Sequence, residues 1–150
     1  MAKGTVNFKV DSFFEGADEL YAAIEKLKKR VAKEYMLEAI KTAIAHIKSQ
    51  LVDAVPVRTG KMRKAVQAGK TKATTAEAEG YVWIRKKGGY QAHLIEYGHR
   101  KVVRDKLGRK IFKGFQPPNP FFRNTMQKNE RLILSIFQDT LRKKLIEGRN

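Results

Sequence analysis

The chain contains no cysteine, which excludes disulfides, thiolate metal sites and cysteine nucleophiles. Acidic residues are scarce: 15 Asp and Glu stand against 32 Lys and Arg in 150 residues, for a formal net charge of +17. There is no Gly-rich phosphate loop with an adjoining Lys-Ser or Lys-Thr, no nucleophile elbow, and no pair of carboxylates spaced for acid and base work. No enzymatic activity and no cofactor are therefore expected, and the missing acidic and metal-binding clusters weigh against a nuclease or toxin. No uninterrupted apolar run approaches a membrane span, and Met1–Asn7 lacks the apolar core of a signal peptide. The chain is expected in the cytoplasm when made, with no membrane partner. It has no internal repeats and no low-complexity linker, and 150 residues suit a single domain, 1–150, around one core.

Hydrophobic residues make up 42% of the sequence, which fits a folded protein. Residues Val6–Val10 alternate weakly, as a short edge strand would, and Asp11-Ser12 offers capping chemistry ahead of the apolar pair Phe13-Phe14. From Asp18, Leu20, Ile24, Leu27 and Val31 recur at helical spacing, and Leu37, Ile40, Ile44, Ile47 and Leu51 continue it. The phase slips between Val31 and Leu37, which predicts a bend or two helices joined end to end, the second over about Lys33–Ala54. Pro56 lacks a backbone N–H and disfavours helix at Val55, so the helix stops there, while Gly60 permits a tight turn that Thr59 can bond locally.

Beyond that joint the spacing predicts strands. Met62–Thr74 reads as one. Ala76, Ala78, Val82 and Ile84 alternate with Glu77, Glu79, Tyr81, Trp83 and Arg85 as a second, with Gly80 as a bulge. Lys86-Lys87-Gly88-Gly89 reads as a hairpin turn that returns Tyr90–Tyr97 as a third strand. The two segments Val102–Arg104 and Arg109–Phe112 then suggest a small hairpin or mobile loop that projects from the body over about 99–116. Pro117, Pro118 and Pro120 exclude helix across 117–119, but Pro120 can open one. Phe122, Met126, Ile133, Phe137, Leu141 and Leu145 mark its apolar face, and Gly148 closes it.

His93, Glu96 and His99 form the one grouping that suggests a metal, yet on neither a strand nor a helix do these spacings converge on an ion. Glu96 is expected instead at a strand end, paired with one of the many Lys or Arg. The basic residues fall into three runs: Arg58–Lys72, Arg85-Lys86-Lys87, and a third made of Arg100, Lys101, Arg104, Lys106, Arg109, Lys110 and Lys113. Three such runs on one side would make a surface for a polyanion or an acidic protein. Aromatic residues are sparse among them, which argues against stacking on single-stranded nucleic acid.

Three separated segments together resemble a family of small tailed-bacteriophage proteins that complete the tail or join it to the head. Ala54–Val66 is similar to the family's helix-ending proline, Thr-Gly turn and strand start, with Met62 where leucine is commoner. Tyr90–Gly98 resembles its tyrosine-alanine then glutamate-aromatic-glycine strand, and Asn119-Pro120-Phe121-Phe122-Arg123 its step into a C-terminal helix. His99 departs from the small residue usual there, and the basic loop after it is longer or more charged. The resemblance implies an α+β fold in which a small antiparallel β-sheet, about 3–5 strands, packs against a long N-terminal helix and a C-terminal helix.

It further implies a non-catalytic virion protein of the neck that forms a ring, a hexamer with a dodecamer as the alternative, in contact with neighbouring neck and tail proteins. Non-specific contact with DNA in the channel is a further expectation. Pro56, Thr59 and Gly60 would set the helix-to-strand angle, Glu96, Tyr97 and Gly98 would end the central strand, and Pro120 and Phe121 would anchor the last helix. One ring patch is expected on the sheet edge and the basic loop, the other on the helices. The alternative is a basic nucleic-acid-binding protein without enzymatic activity.

Overall fold

A helix of 26 residues, about 39 Å long, carries the fold, and everything else packs along it. The computed structural model describes residues 3–9, 18–27, 29–75 and 77–148. This helix, α2 (Lys29–Ala54), follows a shorter one, α1 (Asp18–Glu25), and ends one residue before Pro56, as the proline requires. Its buried stripe is Ala32, Met36, Ala39, Ile40, Ala43, Ile44, Ile47 and Leu51. The two helices are indeed separate, but the break lies at 26–28 rather than between Val31 and Leu37. Alanines at 32, 39 and 43 carry much of the stripe, so a period read from large side chains alone misplaces its start. The expected capping pair Asp11-Ser12, and Phe13-Phe14 after it, fall outside the described residues.

Past Pro56 the chain does not enter a strand directly. Gly60 takes a left-handed conformation (φ 71°) and starts a single helical turn, α3 (Lys61–Ala65), before β2 (Val66–Ala73) begins. β3 (Glu77–Ile84) pairs antiparallel with β2 on one side and with β1 (Lys3–Lys9) on the other, in the order β1-β3-β2. The side on which Tyr90–Tyr97 was expected is thus occupied by β1, the edge strand anticipated at Val6–Val10. Tyr90–Tyr97 instead follows a tight turn, α4 (Lys86–Gly89), and forms a short helix, α5 (Ala92–Tyr97). Its buried residues, Ala92 and Glu96, are four apart and share one helical face.

Gly80 is not a bulge. The register shift lies in β2, between Gly69 and Lys72, while Gly80 faces the long helix so closely that a Cβ there would overlap the Ile44 side chain. Ala78, Gly80, Val82 and Ile84 all point inward in strict alternation, which seats this face of the sheet on α2. The last helix, α6 (Phe121–Glu147), runs back along α2, and Lys144 Nζ near its end meets Glu38 Oε1 at 3.0 Å. Phe121, Phe122, Ile133, Phe137 and Leu141 bury the stripe that faces α2 and the sheet. The protein is α+β: long N-terminal and C-terminal helices with small antiparallel sheets of three and two strands. The second sheet, β4 (His99–Arg104) paired with β5 (Lys110–Gln116), forms a separate hairpin.

Candidate assembly surface

The hairpin stands on a built foundation. α5 delivers the chain to Gly98, whose φ of 74° and ψ of 165° turn it sharply into β4. A side chain there would lie 2.7 Å from the Gln116 carbonyl oxygen and 2.9 Å from the Pro118 nitrogen, so the two legs of the hairpin are in contact at this glycine. The returning leg passes through Pro117-Pro118-Asn119-Pro120 and is held to the outgoing one where Asn119 N donates to Ile95 O at 2.8 Å. His99 Nδ1 also lies 3.3 Å from Leu94 O.

Glu96 completes this foundation in a way that spacing did not reveal. The first N–H groups of a helix have no partner within it, and Pro120, at the N-cap of α6, offers no side-chain acceptor. Glu96 supplies both oxygens from 26 residues away: Oε2 accepts from Phe122 N at 2.9 Å and Oε1 from Arg123 N at 3.1 Å. The carboxylate is 4% exposed, and the helix dipole favours its charge at that end. Glu96 therefore neither ends a strand nor pairs with a Lys or Arg; it ties the legs of the hairpin together. Tyr97, next to it, is exposed, and the Arg123 guanidinium lies 5.8 Å from its ring centre.

Above the foundation the hairpin has no core. β4 and β5 pack on each other and on no other element to more than a marginal extent. Arg100, Val102 and Arg104 lie opposite Phe115, Phe112 and Lys110 and share one face; His99 and Val103 lie opposite Gln116 and Ile111 on the other. An irregularity between Arg100 and Val102 interrupts the register, with Gly114 at positive φ in the facing strand. Val102, Val103, Leu107, Ile111, Phe112 and Phe115 are all exposed, Leu107 to 76%. A two-stranded ribbon on its own is marginal in water, and a cluster of exposed apolar residues marks a contact surface.

The tip is ordered by its one acid. Asp105 Oδ1 accepts from Leu107 N and Arg109 N at 2.9 and 2.8 Å, and Oδ2 from Arg109 Nε at 2.8 Å. Partial burial pushes this carboxyl up, but the bonds from the Arg109 side chain and from the Arg109 and Leu107 amides outweigh it and hold the group below its usual value of 3.8. Asp105 is thus consumed within the tip. Arg100, Lys101, Lys106, Lys110 and Lys113 remain exposed with no carboxylate partner among the described residues, while Arg104 donates to Gly108 O at 3.2 Å.

The remaining expected residues are dispersed. Pro56, Thr59 and Gly60 form the exit from α2; Thr59 is exposed, and the local bond expected of its hydroxyl is not formed. Phe121 is buried beside Phe122. His93 is exposed, Glu96 buried and His99 half-buried, and among the described residues no group of three such side chains could hold a metal ion. α3 packs against α4, which brings Lys61, Arg63 and Lys64 together with Lys86 and Lys87. Among the described residues no helix is long and apolar enough to cross a membrane.

A family model described as "Bacteriophage HK97-gp10, putative tail-component" matches residues 18–98. The match runs from the first residue of α1 to the glycine at the foot of the hairpin, so it takes in both α2 and β3 and leaves the hairpin and α6 outside. No curated protein and no solved structure matches the chain. With more than half of its length covered, the chain belongs to the HK97-gp10-like family of bacteriophage tail components.

Proposed function

We propose that this tail component is a single-domain, non-catalytic ring subunit of the phage neck, which completes the tail or joins it to the head through its projecting hairpin. The observation that carries the reading is the hairpin itself, with six apolar residues exposed and no element of its own chain covering them. A residue set of this kind is stable in water only when a neighbour buries it. The hairpin and the surface that receives it are different patches, so the contact is heterologous and repeated copies close into a ring when the rotation allows. Six copies is the reading preferred here, twelve the alternative. The protein would be assembled in the host cytoplasm, reside in the virion, need no cofactor, and meet the neighbouring neck and tail proteins.

The test is a variant with Arg104, Lys106 and Lys110 changed to Glu. It is expected to melt as the wild type does, since these side chains are exposed, and to lower the yield of joined particles when it replaces the normal gene. Unchanged assembly would remove the hairpin from the interface. A second reading, non-enzymatic binding to nucleic acid, is favoured by the packing of α3 on α4, which merges two basic runs. Salt titration separates the two: a DNA-binding role requires useful affinity near physiological salt with a steep log-log slope, whereas a neck protein binds weakly there.

A further inference from the structure

The sheet has one face on α2 and one face that no element covers. Along β3 that outer face presents, in order, Glu77, Glu79, Tyr81 and Trp83. β2 stays low beside them: Gln67 and Gly69 lie opposite Trp83 and Tyr81, and a Cβ at Gly69 would stand 3.9 Å from the Trp83 ring. The row spans about 20 Å at strand rise, acidic at one end and aromatic at the other.

One face of the hairpin matches this order. Its tip end carries Arg104 and Lys110, directly opposite each other, and the next pair toward the foot is Val102 with Phe112. When the hairpin is laid along β3 with its tip at Glu77, the two cations meet Glu77 and Glu79, and Val102 and Phe112 meet Tyr81 and Trp83. Apolar contact with aromatic rings and opposite charges at the other end are then made together. Among the described residues neither Glu77 nor Glu79 has an ion-pair partner, although the chain holds 32 basic residues.

The other faces of the body suit the hairpin less well. α2 carries five bases against three acids and α6 six against three, so the helices, expected from the sequence to receive the loop, repel it. α1 is acidic, but Lys26, Lys29 and Arg30 follow it directly. β3 has two carboxylates and no base. Within one chain the hairpin does not pack on β3, which leaves a second copy as the occupant.

We infer that the hairpin of one copy docks on the outer sheet face of the next, with Arg104 and Lys110 on Glu77 and Glu79 and with Val102 and Phe112 on Tyr81 and Trp83. This rests on the ring-subunit reading and names its interface. The test uses two variants of the full chain, E77K/E79K and R104E/K110E, studied by sedimentation velocity alone and mixed, with thermal melts to establish that each is folded. Each variant alone is expected to stay monomeric under conditions where the wild type assembles. The equimolar mixture is expected to recover the wild-type sedimentation coefficient, because each mutated surface then finds its complement. A wild type that assembles together with two variants that assemble equally well would overturn this docking and leave the ring standing. So would two monomeric variants whose mixture fails to recover. A wild type that stays monomeric at every concentration would overturn the ring reading and this interface with it.

Discussion

Glu96 holds the hairpin's foundation, and its removal gives the sharpest energetic prediction. In Glu96→Ala, Phe122 N and Arg123 N lose acceptors at 2.9 and 3.1 Å in a site only 4% exposed. A hydrogen bond to a charged group contributes roughly 1.5–3 kcal/mol, and a buried donor left unpaired costs on the order of 1–3 kcal/mol. Because the helix end lies near the surface, water recovers part of this, and the expected loss is about 3 kcal/mol. For a chain of this size that lowers Tm by about 6–12 °C. Glu96→Gln keeps one acceptor but turns an NH2 toward an amide donor, so an intermediate loss of about 1.5 kcal/mol is expected. Urea unfolding followed by circular dichroism reads both. An exposed ion pair with a Lys or Arg would be worth less than about 1 kcal/mol; changes within about 0.5 kcal/mol for both variants would refute the capping role.

Gly80→Ala places a methyl group into the Ile44 side chain and should cost about 1–3 kcal/mol by overpacking; the companion change Ile44→Val should recover part of that loss, and no recovery would mean the contact is not the cause. Gly98→Ala brings a Cβ within 3 Å of the returning leg, so faster proteolysis within 99–116 is expected, and unchanged cleavage would contradict a rigid foot. Phe121→Ala empties a buried site in the core and should cost about 3–5 kcal/mol, read by the same unfolding curves. The Asp105 carboxyl sits below its usual 3.8, so order at the tip should persist above that value and be lost as pH falls through the lowered one. The amide signals of Leu107 and Arg109 in NMR should report it, and titration at or above 3.8 would refute the bonds described.

Much of the fold was legible because large side chains keep a period over many turns. Ile40, Ile44, Ile47 and Leu51 announce α2, and Phe122, Ile133, Phe137 and Leu141 announce α6. The alternation from Ala78 to Ile84 announces β3, and Pro56 marks where α2 stops. What failed was short or decided by distant partners. α3 and α5 have five and six residues, too few for helical period to stand clear of alternation. Tyr90–Tyr97 looks like a strand in isolation, but β1, some eighty residues earlier in the chain, takes the place beside β3. Gly80 resembled a bulge because a glycine in a strand signals either a bulge or a close approach, and only Ile44 decides between them.

The same limit hid the role of Glu96. Its partners are amides on a helix that begins 25 residues later, and main-chain donors leave no trace in a side-chain pattern. One signal was present: Pro120 opens a long helix with no Ser, Thr, Asp or Asn at the cap, so an acceptor had to come from elsewhere, and Glu96 is the one buried carboxylate among the described residues. The hairpin was legible as an unusual stretch because its basic and apolar residues alternate between two proline and glycine boundaries. Its opposite face, the row from Glu77 to Trp83, was legible only as the outside of a strand.

The most direct test of the neck assignment is negative-stain imaging of lysates from the parent phage with this gene deleted, counting joined particles, free heads and free tails. The account predicts DNA-filled heads beside unattached tails of normal length; overlong tails would move the role to length termination. Normal infectious particles would contradict it.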